Sequence, residues 1–83
     1  MYYVYILKSL KDRGFYIGCT KNVEKRISEH NKGKTLSLKN RRPLVVVHTE
    51  KYDNVNTAYI REKKIKSYKS GNEFKKIING GFA

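Results

Sequence analysis

The run from Tyr2 to Lys8 is an almost unbroken series of aromatic, β-branched and aliphatic residues. That is the composition of a strand covered on both faces, so it predicts the central strand of a sheet. Ser9 to Gly14 (SLKDRG) is polar and ends in glycine, which marks a hairpin connection, and Phe15 to Cys19 reads as a second short strand. Asn22 as N-cap and Gly33 as C′ residue enclose a helix of roughly ten residues. On it Val23 and Ile27 define an apolar stripe, with Lys25, Ser28 and Glu29 turned to water. Lys32 to Arg42 (KGKTLSLKNRR) has no acid and room for one short turn of helix around Leu36 to Lys39. Pro43 then stands at the start of a strand over Leu44 to Thr49, where a missing N–H does least harm.

Asp53 or Asn54 caps the next helix, which runs to about Ser70, stops at Gly71 and turns inward Val55, Ala58, Ile65 and the stem of Lys69. A last helix over Glu73 to Asn79, with Asn72 as N-cap candidate, supplies Phe74, Ile77 and Ile78 to close the core, and residues 80–83 read as a frayed tail. The pattern therefore predicts one α+β domain over residues 1–83, with its core in about 1–79. Its architecture is a small three-stranded, largely antiparallel sheet flanked by helices in the order β-β-α-β-α-α.

Some residues break the pattern. Glu62 falls in the middle of the buried stripe of its helix, where a carboxylate is costly unless a cation or a metal faces it. A structural ion pair with Arg26 or Lys69 would meet the same need. Arg26 and His30 lie one turn apart at the edge of the first helix's apolar stripe, which aims Arg26 partly toward the sheet rather than outward with Lys25. An arginine snorkelling over apolar neighbours would look the same. A histidine on such an edge is more often structural, and so, on its strand, is His48. Tyr5 and Tyr16 read as core aromatics when taken alone.

Charge adds a partner class. Nineteen Lys and Arg against seven Asp and Glu give +12 over 83 residues. Folding does not require that imbalance, and a polyanionic partner offsets its self-repulsion, with nucleic acid the leading candidate. A chain this short buries only about 60–65% of its unfolded surface, so its core is small. No apolar run approaches the roughly 20 residues of a membrane span, and the apolar N-terminus is too short and tyrosine-rich for a secretory signal, so a cytoplasmic location is expected. The single cysteine, Cys19, cannot form an internal disulfide. No zinc spacing, phosphate-binding glycine loop or Ser-His-Asp pattern is present, and Cys19 has no visible base to make it a nucleophile.

Taken in order, Tyr3-Val4-Tyr5, Tyr16-Ile17-Gly18, Asn22, Arg26, His30, Gly33-Lys34, Arg42-Pro43 and Ala58 with Glu62 resemble the GIY-YIG nuclease superfamily over nearly the whole chain. The likeness is greatest to its small stand-alone bacterial members. The first word reads Tyr-Val-Tyr where the name-giving triplet has Gly-Ile-Tyr, with the tyrosine kept. The resemblance implies a metal-dependent endonuclease that hydrolyses phosphodiester bonds, acting in DNA repair, recombination or nucleic-acid turnover. Its catalytic residues would be Tyr5, Tyr16, Arg26, His30 and Glu62. Glu62 would hold one divalent cation, Mg²⁺ or Mn²⁺, as suits a lone carboxylate completed by water and phosphate oxygens. Arg26 would clamp the phosphate and one tyrosine would act as base; which of the two stays open. Lys34, Lys39, Arg41 and Arg42 would contact nucleic acid, with DNA favoured over RNA, and the protein would be a monomer or weak dimer. Some members use a lysine just after the second word, held here by Cys19, and a late asparagine, for which Asn72 and Asn79 are the candidates. The same fold serving as a non-catalytic DNA- or RNA-binding module is the competing expectation.

Overall fold

The computed structural model describes residues 1–34, 40–68 and 71–80. Strand β1 (Tyr2–Ser9) lies between β2 (Phe15–Thr20) and β3 (Leu44–Tyr52) in an antiparallel sheet of order β2-β1-β3. Helices α1 (Val23–Asn31), α2 (Val55–Ser67) and α3 (Asn72–Gly80) complete the predicted order β-β-α-β-α-α.

Val4 to Leu7 are all buried, and their period of two divides the interior. Val4 and Ile6 join Ala58 and Ile65 of α2 and Phe74 of α3 in one core. Tyr5 and Leu7 join Leu44, Tyr16, and Val23 and Ile27 of α1 in another. The central strand is thus covered on both faces, as its composition predicts. Ile6 pairs with His48 but Leu7 pairs with Val46, so the register slips by one residue at Val47. The slip reverses which face the rest of β3 presents. It lets Leu44 enter the α1 core while His48, Glu50 and Tyr52 stay on the α2 side.

α1 has the ends the sequence predicts. The Asn22 side chain accepts from the Lys25 N–H at 3.1 Å, and Gly33, at φ 81°, closes the helix with Gly33 N–H to His30 O and Lys34 N–H to Glu29 O, both 3.1 Å. Its last residue, Asn31, is tied to β3: Leu44 N–H donates to Asn31 Oδ1 at 2.8 Å and Asn31 Nδ2 donates to Leu44 O at 3.1 Å. Fully buried Ser9 holds the same end of the sheet, donating to Arg41 O at 2.6 Å and accepting from the Lys11 and Asp12 N–H groups.

Several boundaries differ from the sequence expectation, with β1 and β2 each ending one residue later, at Ser9 and Thr20. β3 runs to Tyr52 rather than Thr49, because the polar residues that follow form an inward network. Glu50 accepts from Tyr52 Oη at 2.6 Å and from Arg61 Nε and Nη2 at 2.8 and 3.0 Å, and His48 Nε2 lies 2.9 Å from its other oxygen. α2, capped by Asn54, ends at Ser67, where the Tyr68 N–H turns to Ile65 O. Lys69, Ser70, the proposed turn at Leu36 to Lys39, and residues 81–83 lie outside the described residues. α3 starts one residue early, at Asn72, because Gly71 O accepts the Lys75 N–H at 3.0 Å, and Gly80, expected in the tail, is its last residue. Among the described residues no helix is long and apolar enough to cross a membrane.

Burial opposes the charge of Glu50, yet hydrogen bonds from Arg61, Tyr52 and His48 outweigh it and hold its pKa down to about 2, from an ordinary 4.5. A pKa lower in the folded than in the unfolded state gives stability that is present above pH 4.5 and lost as pH falls toward 2. The difference in melting temperature between the wild type and Glu50→Gln should therefore be full at pH 5 and shrink steadily down to pH 2. A difference that stays constant over that range would mean the network does not anchor β3 to α2.

Candidate active site

Tyr5 and Gly18 are cross-strand partners on the sheet face that α1 covers. A Cβ on Gly18 would stand 2.5 Å from Tyr5 Oη and 2.6 Å from Cζ, so the phenol lies across the glycine and reaches over β2. The glycine is needed there for its missing side chain. Tyr5 is 1% exposed, and its hydroxyl is 3.2 Å from Nε2 of His30, which is fully buried on α1. Tyr16 packs against both, with its ring centroid 6.3 Å from that of Tyr5 and 5.4 Å, edge to face, from that of His30. Unlike Tyr5 it is half-buried.

Arg26, one turn before His30, has a half-exposed side chain that faces the Tyr5 hydroxyl and lies 3.5 Å from Glu29. It opens onto a groove of about 330 Å³ shared with Cys19, Lys21, Lys25 and Glu29. Glu29 is half-buried beside Arg26 rather than turned fully to water. Burial pushes the Tyr5 pKa up to about 12 even though Arg26 pulls the other way. Burial, reinforced by the Arg26 charge, pushes the His30 pKa below its ordinary 6.5, so the imidazole is neutral at pH 7. The interaction with Tyr5 in turn raises the Arg26 pKa, keeping the guanidinium charged.

Glu62 stands on α2, the helix that packs on the other sheet face. Its side chain is 18% exposed, and its charge acts on Tyr5 and Cys19, adding to the rise that burial imposes on each. Among the described residues the cation paired with it is Lys66 one turn on, with Nζ 2.7 Å from Oε2 and a side chain 52% exposed, while Lys69 lies outside them. Cys19, where some members carry lysine, has a thiol whose pKa is raised by burial and then by Glu62, which disfavours a thiolate nucleophile. Among the described residues no three His, Cys, Asp or Glu side chains gather as a metal cluster. Glu62 is the carboxylate that the resemblance assigns to a divalent ion. That donor suits a hard cation completed by water and phosphate oxygens.

The cations expected to touch nucleic acid are spread differently. Lys34 is exposed just beyond α1, and Lys39 lies outside the described residues. Arg41 is engaged by Asp12 at 2.9 Å, and Arg42 Nη1 donates to Asn31 O at 3.3 Å while lining a groove with Lys11 and Asn40. Lys21 and Lys25, not singled out in the sequence, stand beside Arg26. Asn72 and Asn79 are exposed on α3. Sequence reasoning also missed the Glu50 network. Its signal was the His48, Glu50, Tyr52 alternation, which becomes visible once the strand is extended past Thr49.

The model of the GIY-YIG catalytic domain matches residues 1–76, and the chain belongs to this family of nuclease domains. A UPF0213 protein of Staphylococcus haemolyticus is 43% identical over 77 residues, covering 92% of this chain and 93% of that protein. One from Natronomonas pharaonis is 43% identical over 67 residues, covering 80% and 78%, and one from Staphylococcus saprophyticus 39% over 80 residues, covering 95% and 96%. These relatives are thus small proteins made of little besides this domain. No solved structure gives a significant match.

If the phenol needs the bare Cα of Gly18, Gly18→Ala must displace Tyr5 and break its contact with His30. We expect a loss of about 1–3 kcal/mol in urea denaturation. In a Tyr5→Leu background the same change should cost at least about 1 kcal/mol less, because the clash has gone. Simple additivity of the two substitutions would refute the packing argument.

Proposed function

We propose that the protein is a metal-dependent endonuclease of low sequence specificity acting on nucleic acid, with DNA favoured. The observation that supports this reading is the cluster of Tyr5, Tyr16, His30 and Arg26 on the α1 face, with the charge of Glu62 on α2 acting on Tyr5. A module that only held phosphates would gain nothing from a carboxylate in that company.

Hydrolysis of a phosphodiester needs an oriented water, a base, and positive charge where negative charge develops. Arg26, charged and opening onto the groove, binds the phosphate. A divalent ion held by Glu62 would supply further charge to the phosphate oxygens and lower the pKa of water. Tyr5 is poorly suited to be the base, since its pKa is about 12 and it is buried. It orients, through the contacts of its hydroxyl with His30 and Arg26. That leaves half-buried Tyr16 to take the proton of the attacking water. Tyr16 must lose its own proton first, and being half-buried it can give it to solvent. Lys21, Lys25 and Lys34 extend the contact along the backbone, which carries no sequence information.

Arg26→Ala should lower turnover by about 10²-fold or more with little change in binding, and Arg26→Lys should recover only part of it, lacking the planar fork. Near-normal cleavage by Arg26→Ala would remove the residue from the site. Glu62→Gln should abolish metal-dependent cleavage of plasmid or oligonucleotide at unchanged or slightly tighter binding. Its melting temperature should hardly move, because exposed Lys66 loses a pair of the class worth about 0.3–0.5 kcal/mol. A marked loss of stability, or unimpaired cleavage, would make Glu62 structural. Affinity should drop steeply between 50 and 200 mM salt if phosphates are the main contact.

A further inference from the structure

Arg61 and Glu62 are consecutive on α2 and leave it about 100° apart. They fall on opposite flanks of the stripe formed by Ala58 and Ile65, the buried residues of the helix. Arg61 turns to β3, where its guanidinium grips both oxygens of Glu50 at 2.8 and 3.0 Å. Glu62 leaves from the other flank, the side of β2, whose Cys19 packs against the core that holds Ala58 and Ile65.

The apolar seat of α2 is narrow, and Ala58 contributes one methyl group to it. Such a contact keeps the helix against the sheet but resists rolling poorly. A roll of about 20° would swing a carboxylate 5–6 Å from the helix axis by about 2 Å. A reacting constellation has to be held within about 0.5 Å. The two-pronged grip resists a roll because both N–H groups must stay in the plane of one carboxylate. That carboxylate is itself fixed on β3 by Tyr52 Oη at 2.6 Å and His48 Nε2 at 2.9 Å.

We propose that the Glu50–Arg61 clamp, on the sheet face away from the tyrosines, is a positioning device: Arg61 sets the roll of α2 and so aims Glu62 into the active site. Glu62's catalytic part rests on the function proposed above; the coupling of Arg61 to Glu62 does not.

Cys19, the chain's only cysteine, reports where Glu62 points. Arg61→Lys keeps the charge and removes the fork, and Glu62→Gln gives the profile of Cys19 without the carboxylate. The rate of thiol alkylation would be followed against pH at a temperature where circular dichroism shows each variant folded. The midpoint in Arg61→Lys should move down toward that of Glu62→Gln, and Arg61→Lys with Glu62→Gln should show no further shift. In parallel kcat should fall about tenfold or more, with nucleic-acid affinity within twofold of wild type. Should Arg61→Lys fail to fold, Glu50→Gln, which keeps the shape of the acceptor, takes the same measurements. A variant that melts earlier yet keeps the wild-type Cys19 profile and kcat would overturn the proposal, leaving the clamp a matter of stability. A Cys19 midpoint unmoved by Glu62→Gln would overturn it as well. If the wild type cleaves nothing, the nuclease reading falls, while the Cys19 profile still decides whether Arg61 aims Glu62.

Discussion

The burial of β1 on both faces is the constraint from which the rest follows. A strand with one wet side could align only one helical layer, whereas Val4 and Ile6 hold α2 and α3 while Tyr5 and Leu7 hold α1. Side chains from opposite layers can then meet at one edge of the sheet. Tyr5 is where this becomes chemistry. It is a core residue by burial, but Gly18 lets its phenol cross β2, so its hydroxyl comes within reach of α1 groups and within the field of Glu62 on α2.

Most of the framework was legible because hydrophobic period and punctuation agreed. Tyr2 to Lys8 announced a two-sided strand, and Asn22 and Gly33 bracketed α1 with the side-chain cap and left-handed closure that those residue types favour. Arg26, His30 and Glu62 were drawn together by the family resemblance, since helical spacing puts only Glu62 inside an apolar stripe and leaves Arg26 and His30 at the edge of another. What the chain concealed was polar and long-range. The end of β3 was missed because Glu50 and Lys51 look like loop residues until Arg61, eleven positions later, is seen to supply the countercharge. Glu62 also pairs with Lys66, which the sequence reading did not name, because a flexible lysine one turn away reaches the carboxylate readily. The one-residue slip at Val47 has no signature in a run of valines.

The two acid–base networks of the molecule sit on opposite faces of the same sheet and behave oppositely. Around Glu50 every neighbour favours the charged state, so the carboxylate is locked and the group carries structure. Around Tyr5 and His30 burial opposes charge on the phenol and on the imidazole alike, while Arg26 and Glu62 keep theirs nearby. Neutral titratable groups beside fixed charges can exchange a proton without the site losing its shape. A fully salt-bridged cluster cannot.

Charge alone would not separate an enzyme from a binding module, since +12 would serve either. The arrangement of the cations is more telling. Arg41 and Arg42, from the most basic segment, are partly spent on Asp12, Asn31 O and the Ser9 turn, where they stitch the segment to the sheet. Lys21, Lys25 and Arg26 instead line an open groove. A surface shaped only for affinity would also exclude acids, because each carboxylate near a phosphate works against binding. Here Glu62 stands on α2, and among the described residues its ion-pair partner is the half-exposed Lys66. A weak, exposed partner is one that a phosphate-bound cation can displace at little cost. Under the proposed function, Glu62 would thus be paired without substrate and available to a divalent ion with it, a requirement of hydrolysis that binding alone does not have.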